Sequence, residues 1–123
     1  MFAGEVDLKT WYKPNIDKKT LKELSKRSDI KGLLDISIFI VALILSGYLC
    51  ILSWGTLWSI PALLLYGNIF YCKIISIQHE TNHETYFKTR ALNKLFYHIT
   101  SLLGGFEAVR WKWSHFHHHT YTI

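Results

Sequence analysis

Two groups of histidines carry the chemistry of this 123-residue chain. The first lies in Gln78-His79-Glu80-Thr81-Asn82-His83. The i, i+4 spacing of His79 and His83 puts both imidazoles on one face of a helix, one turn apart, where they can share a metal or hold neighbouring ions. The second lies in Trp113-Ser114-His115-Phe116-His117-His118-His119. On a helix His115, His118 and His119 span an arc of about 100°, while His117 points nearly opposite. Three neutral imidazoles on one face form a nitrogen-rich site suited to iron, zinc or copper. An affinity tag does not fit, because Phe116 interrupts the run and Thr120-Tyr121-Thr122-Ile123 follows it.

The first group also spells His-Glu-x-x-His, the pattern of zinc proteases, in which Glu80 would be the general base and one further ligand would suffice. Three more clustered histidines exceed the needs of a single zinc. Five candidate ligands, His79, His83, His115, His118 and His119, fit a two-metal centre better. Glu80, Asn82, Glu84 and Glu107 are placed to orient imidazole N–H groups, with Glu84 read rather as a solvated position. His117 and His98 are expected outside the ligand set, His98 as an interfacial residue. Trp111 and Trp113 read equally as interfacial anchors and as functional residues.

The elements that position these groups are apolar. Half the chain is hydrophobic, an ordinary share for a globular domain, but between residues 33 and 77 the only charged side chains are Asp35 and Lys73. Leu33–Trp54 is long enough to cross a bilayer as a helix of roughly 33 Å. Leu57–Ile77 is a second such run, and the short link makes the pair a tight helical hairpin. Trp54 and Trp58 flank the link as an aromatic belt would. Pro61 falls in the first turn of the second helix, where its missing N–H is harmless. Asp35 is expected in the first turn of the first helix, where the dipole favours an anion, and Lys73 is expected to snorkel toward the surface. Along the second helix Asn68, Cys72, His79 and His83 fall within about 60° of one another, with Ser76 at the margin. Such a stripe faces a cavity or a neighbouring helix rather than lipid, and it leads to the histidines.

After the first histidine group, Leu92, Leu95, Phe96, Ile99, Leu102, Leu103 and Phe106 recur at helical spacing opposite Asn93, Lys94, Tyr97 and Ser101. The pattern predicts an amphipathic interfacial helix ended by Gly104-Gly105. Residues 1–32 are polar and basic, with Trp11, Tyr12 and Ile16 interspersed. Asn15 or Asp17 is placed to cap a short helix running to about Arg27.

The net charge of +5 reflects position. Lys9, Lys13, Lys18, Lys19, Lys22, Lys26, Arg27 and Lys31 precede the apolar block, Lys88, Arg90, Lys94, Arg110 and Lys112 follow it, and none lies in the link. This is the positive-inside pattern for two spans with both ends cytoplasmic. No nucleic-acid-binding signature accompanies the charge, so no nucleic acid is expected as a partner. Cys50 and Cys72 lie inside apolar runs with no metal or redox spacing and read as small apolar side chains. Met1–Glu5 lacks a basic stretch ahead of an apolar core, so no cleaved leader is expected.

His79-x-x-x-His83 followed about thirty residues on by His115-x-x-His118-His119, in the order apolar hairpin, first box, amphipathic helix and second box, resembles the membrane fatty acid desaturases and their hydroxylase relatives. The resemblance covers roughly residues 33–123. It implies that His79, His83, His115, His118 and His119 ligate two non-haem irons, that dioxygen and a fatty acyl lipid are substrates, and that electrons arrive from an external donor protein. Hydroxylation of a lipid, alkane or carotenoid by the same centre is the alternative within the family. Members of the family carry a third histidine box after a second hairpin. The chain ends four residues after His119, so it is expected to be an N-terminal fragment, inactive by itself. The expectation is therefore an all-α integral membrane protein. It has a basic segment over 1–32, a two-helix hairpin over 33–77, and a cytoplasmic histidine-box region with an interfacial helix over 78–123. Glu80, Asn82 and Glu107 are expected around the ligands and Asn68, Cys72 and Ser76 along a cavity. A bacterial inner membrane or the endoplasmic reticulum satisfies the charge pattern.

Overall fold

The computed structural model describes residues 16–121, which form helices and no strands. Asn15, the alternative cap, and Trp11 and Tyr12 of the basic segment lie outside the described residues. The first helix, α1 (Lys18–Leu24), starts where the Asp17 carboxylate accepts the N–H groups of Lys19 and Thr20, both at 2.9 Å. It ends at Leu24 rather than near Arg27 and buries none of its residues.

The apolar runs become α2 (Asp29–Leu52) and α3 (Ser59–Asn82), each 24 residues and about 36 Å long. Both differ from the sequence reading at the end that faces the histidines. Ser28 caps α2 by accepting the Lys31 N–H, so the helix begins four residues before Leu33. Asp35 therefore lies in the second turn, beyond the reach of the dipole argument. Its partners are side chains instead. Lys73 Nζ lies 2.6 Å from Oδ2 of Asp35, and the Tyr86 hydroxyl also donates to that carboxylate. Lys73 thus crosses to the opposite helix rather than snorkelling outward, because a carboxylate in its own plane offers a closer counter-charge than the surface does. At its far end α3 runs five residues past Ile77, which carries His79 on the same helix as the apolar run and leaves His83 as the capping residue.

The two helices are antiparallel and approach closely near the middle. A Cβ on Gly47 would sit 3.4 Å from the Tyr66 ring, and Ser46 beside it is buried, the small-residue contact that lets membrane helices pack. Their outer surfaces are bare, with Ile44, Ile51 and Leu64 all more than 60% exposed.

The packed core lies at the histidine end. Ile36 of α2, Ile77 of α3 and Phe87 from the following loop are buried together, with Phe39, Tyr86, Leu92 and Phe96 around them. Phe87 lies directly over Gly32, where a Cβ would come within 2.6 Å of the ring. Any larger residue at that position displaces Phe87. Residues 84–89 are clamped to the start of α2 by polar contacts as well. Arg27 donates to the Glu84 carbonyl at 2.7 Å, and Asp29 accepts from both the N–H (2.8 Å) and the hydroxyl (2.7 Å) of Thr89.

Helix α4 (Arg90–Leu103) has the expected amphipathic pattern, and its orientation is informative. Asn93, Tyr97, Thr100 and Ser101 are buried, whereas Leu95, Leu102 and Leu103 are more than half exposed. The polar face points inward onto α3, where Gln78 Nε2 donates to Ser101 Oγ at 3.2 Å. Asn93 holds the loop by accepting the Phe87 N–H (3.0 Å) and donating to the Phe87 carbonyl (2.9 Å). A helix with polar groups inside and leucines outside suits a lipid interface, not water. Gly104 caps α4, and Gly105 takes φ +72°, a conformation that costs glycine nothing. The chain then enters α5 (Ala108–Tyr121).

Candidate metal centre

Three contacts set where α5 starts and how His115 is held. Glu107 caps α5, accepting the N–H groups of Val109 and Arg110 through its two carboxylate oxygens. The Tyr97 hydroxyl of α4 donates to the Ala108 carbonyl and fixes where α5 starts. Trp111 then stacks on His115, with ring centroids 4.6 Å apart and planes 12° from parallel. The i, i+4 spacing that aligns Trp111 with His115 also aligns His115 with His119.

The result is a four-imidazole cluster of His79, His83, His115 and His119, whose candidate donor nitrogens all lie within 4.8 Å of one another. His115 is at its centre. Its Nε2 is 2.9 Å from Nε2 of His83 and 3.0 Å from Nε2 of His119, and its ring meets that of His79 edge to face at 4.8 Å. Nitrogens bound to one tetrahedral ion at about 2.0–2.1 Å are roughly 3.4 Å apart, so these pairs, now at hydrogen-bonding distance, would need to part by about half an ångström to share an ion. The donor set fits a borderline transition metal such as iron or zinc.

The surroundings hold the central imidazoles in the neutral form. Burial lowers the His83 pKa, and the charges His79 and His119 would carry lower it further, against a raising effect from Glu80. Burial and the other three imidazoles, with His118, pull His115 down to about 4. Both rings are therefore neutral at pH 7, the form that binds metal.

The remaining expected residues divide clearly. His118 stands outside the compact set, its ring centroid 6.2 Å from that of His115 and 5.6 Å from that of His119. His117 faces Tyr121 at 4.3 Å, and His98 lies beside Tyr97 on α4. Glu80 borders the cluster. Its Oε1 is 3.7 Å from Nδ1 of His79, and the Thr85 hydroxyl donates to Oε2. The left-handed turn at Glu84 (φ 56°) brings Thr85 back over Glu80. Asn82 borders it too, lining a cavity of about 260 Å³ with His83, Lys112, His115, Phe116 and His119. Glu107 is occupied as the α5 cap, and Glu84 pairs with Arg90 at 3.3 Å.

Asn68, Cys72 and Ser76 line a groove of about 450 Å³ between α2 and α3 that also contains the Asp35–Lys73 pair. A second groove of about 440 Å³ shares Cys72 and Ser76 and ends at His79, Glu80 and Trp111. Together they trace a path along α3 from its apolar middle to the imidazoles.

Trp111 was legible only as an aromatic near the second box. The helical spacing to His115 was the available signal for its role. We expect Trp111→Ala to weaken metal binding about 2–12-fold, the equivalent of an aromatic contact worth about 0.5–1.5 kcal/mol, while Trp111→Phe keeps most of it. Chelator competition with cobalt reads this, and an unchanged affinity in the alanine variant would show that the stack does not orient His115.

The fold and site define a helical hairpin protein whose polyhistidine centre sits at one end of two apolar helices. Residues 56–123 match the fatty acid desaturase family, and the chain belongs to that family. Comparison with curated proteins and with solved structures gives no match. With the family established, the two bare apolar helices identify a membrane protein.

Proposed function

We propose that the chain builds part of a di-iron oxygenase that inserts a double bond into a fatty acyl chain. The observation that carries this reading is the four-imidazole cluster, assembled from α3 and α5 inside the family-matched residues. His79, His83, His115 and His119 would hold iron, and His118, outside the compact set, would serve a second ion. Iron bound there supplies dioxygen activation. The overall reaction consumes one O₂, two electrons from an external donor protein, two protons and two acyl hydrogens, and yields one C=C bond and two waters.

The chain's own groups do the rest. Glu80, held by Thr85, stands 3.7 Å from Nδ1 of His79, where a small shift would let it accept that N–H and leave Nε2 for the metal. The Asn68–Cys72–Ser76 groove guides an apolar acyl chain along α3 toward His79. The basic residues on either side of the hairpin keep both its ends, and the centre, on the cytoplasmic side. In domain terms, 1–32 would be the basic N-terminal segment, 33–77 the hairpin and 78–123 the histidine-box region.

The test is purification of the protein with every histidine box of its gene product, in detergent, from cells supplied with iron and zinc. Two irons per chain, with O₂-dependent desaturation of an acyl lipid once a reductant is added, is the expected result. One zinc per chain with peptide hydrolysis would instead establish the His-Glu-x-x-His protease.

A further inference from the structure

Helix α1 (Lys18–Leu24) has seven residues and buries none of them. Isolated helices shorter than about 12–15 residues are marginal in water, so α1 needs a partner, and the described residues supply none by packing. Its sequence gives the chemistry of that partner. At 3.6 residues per turn Lys18, Lys19 and Lys22 fall within an arc of about 100°, and Leu21 and Leu24 lie within about 60° of each other on the other side. Leu21 is 53% exposed and Leu24 75%. Lys26 follows just beyond the helix. The ion pairs among the described residues are Lys73–Asp35, His79–Glu80 and Arg90–Glu84, so none of these four lysines has a carboxylate partner there. Two nearby carboxylates are engaged elsewhere, Asp17 as the α1 cap and Asp29 on Thr89.

Position decides what the partner is. Four residues separate α1 from α2, one of the two long apolar helices. Residues 25–28 can reach no further than about 18 Å, and Arg27 in that link is tied to the Glu84 carbonyl at 2.7 Å. The helix is thus held at the end of a membrane span, and its meeting with the leaflet is intramolecular. We infer that α1 is a docking helix for an anionic phospholipid leaflet, with its lysines on headgroup phosphates and Leu21 and Leu24 at the acyl boundary. A helix with one basic and one apolar face lies in the plane of the interface, and each lysine at an anionic surface strengthens the docking about 5-fold. An acidic protein would match the lysines but leave the leucines unmatched. The inference rests on the membrane reading and is independent of the metal centre.

The test follows amide hydrogen exchange of the purified protein in nanodiscs of phosphatidylcholine and in discs that also contain phosphatidylglycerol. Expected are α1 amides that exchange about 10-fold more slowly in the anionic discs, with α3 amides alike in both. Lys18→Gln, Lys19→Gln and Lys22→Gln together should remove the difference, and Leu21→Gln with Leu24→Gln should speed α1 exchange in the anionic discs. Because α1 buries none of its residues, these changes leave the packed core intact, and α3 exchange checks this. Inorganic phosphate added to phosphatidylcholine discs is expected to leave α1 exchange unchanged. Exchange in α1 that ignores headgroup charge overturns the inference and points to an acidic protein instead. Full protection in the lysine or the leucine variant, or protection by inorganic phosphate, overturns it as well. A chain that enters neither kind of disc overturns the membrane reading together with this one.

Discussion

Alanine in place of His115 abolishes metal loading, with an affinity loss beyond about 100-fold. That exceeds the 10–100-fold typical of losing an outer hydrogen-bond partner. His115 has a nitrogen within 3.0 Å of two other imidazoles, and its ring also packs on His79 and Trp111. Removing it takes away the nitrogen nearest to both His83 and His119, whose own rings meet at 5.0 Å. Far-UV circular dichroism should stay near wild type, because half-buried His115 is not part of the apolar core. Cobalt titration against a chelator measures the loss. A less than 10-fold change would mean that His79, His83 and His119 form the working site without it.

Phe87→Ala is expected to have the largest effect on stability, about 3–5 kcal/mol, the usual cost of truncating a fully buried phenylalanine. Phe87 is 0% exposed. It lies over Gly32 of α2, stacks on Phe96 of α4 at 5.1 Å, and has its backbone held by Asn93. The cavity left behind borders three elements at once, and the clamp that sets the direction of the chain after His83 loosens with it. Unfolding of the micelle-embedded protein in a mixed-detergent titration, followed by circular dichroism, reads the change. A loss below about 1 kcal/mol would place the organising contact elsewhere, in the polar clamps of Arg27 and Asp29.

The helices were legible because their signals are local. Leu33–Trp54 and Leu57–Ile77 announce themselves by length and lack of charge, the first helix by the capping chemistry of Asn15 or Asp17, and Gly104-Gly105 by the stop they impose. The inward ends were harder to read, because α2 begins on a polar turn capped by Ser28 and α3 continues through polar residues to Asn82. Periodicity placed Asn93, Tyr97 and Ser101 on one face of α4, but it did not say that this face would be the buried one. In a chain with lipid around it, the usual link between polar and outside is lost.

The candidate site was half legible. Spacing alone put His79 with His83 and His115 with His119. It also grouped His118 with them, since an arc of about 100° on an isolated helix admits all three. Which edge of that arc meets α3 depends on how α5 crosses it. The start of α5 is tied to α4 by the Tyr97–Ala108 hydrogen bond and the Tyr97–Trp111 ring contact, neither of which is local in sequence. Asp35 with Tyr86 and Lys73, Arg27 with Glu84, and Asp29 with Thr89 join residues 38 to 60 positions apart. No pattern within a short window reports such pairs.

One feature of α3 has a mechanical consequence. The helix is unbroken from Ser59 to Asn82, so its length of about 36 Å exceeds a hydrocarbon layer of about 30 Å by roughly one turn. In the proposed orientation that overhang would carry the first histidine box. The depth of the imidazoles would then be geared to the thickness of the surrounding bilayer. A thicker leaflet draws His79 toward the acyl region and a thinner one lifts it toward the headgroups, unless the hairpin tilts to compensate. In that orientation the rod that positions the imidazoles would also act as their depth gauge, and the lipid composition of the membrane would set the reading.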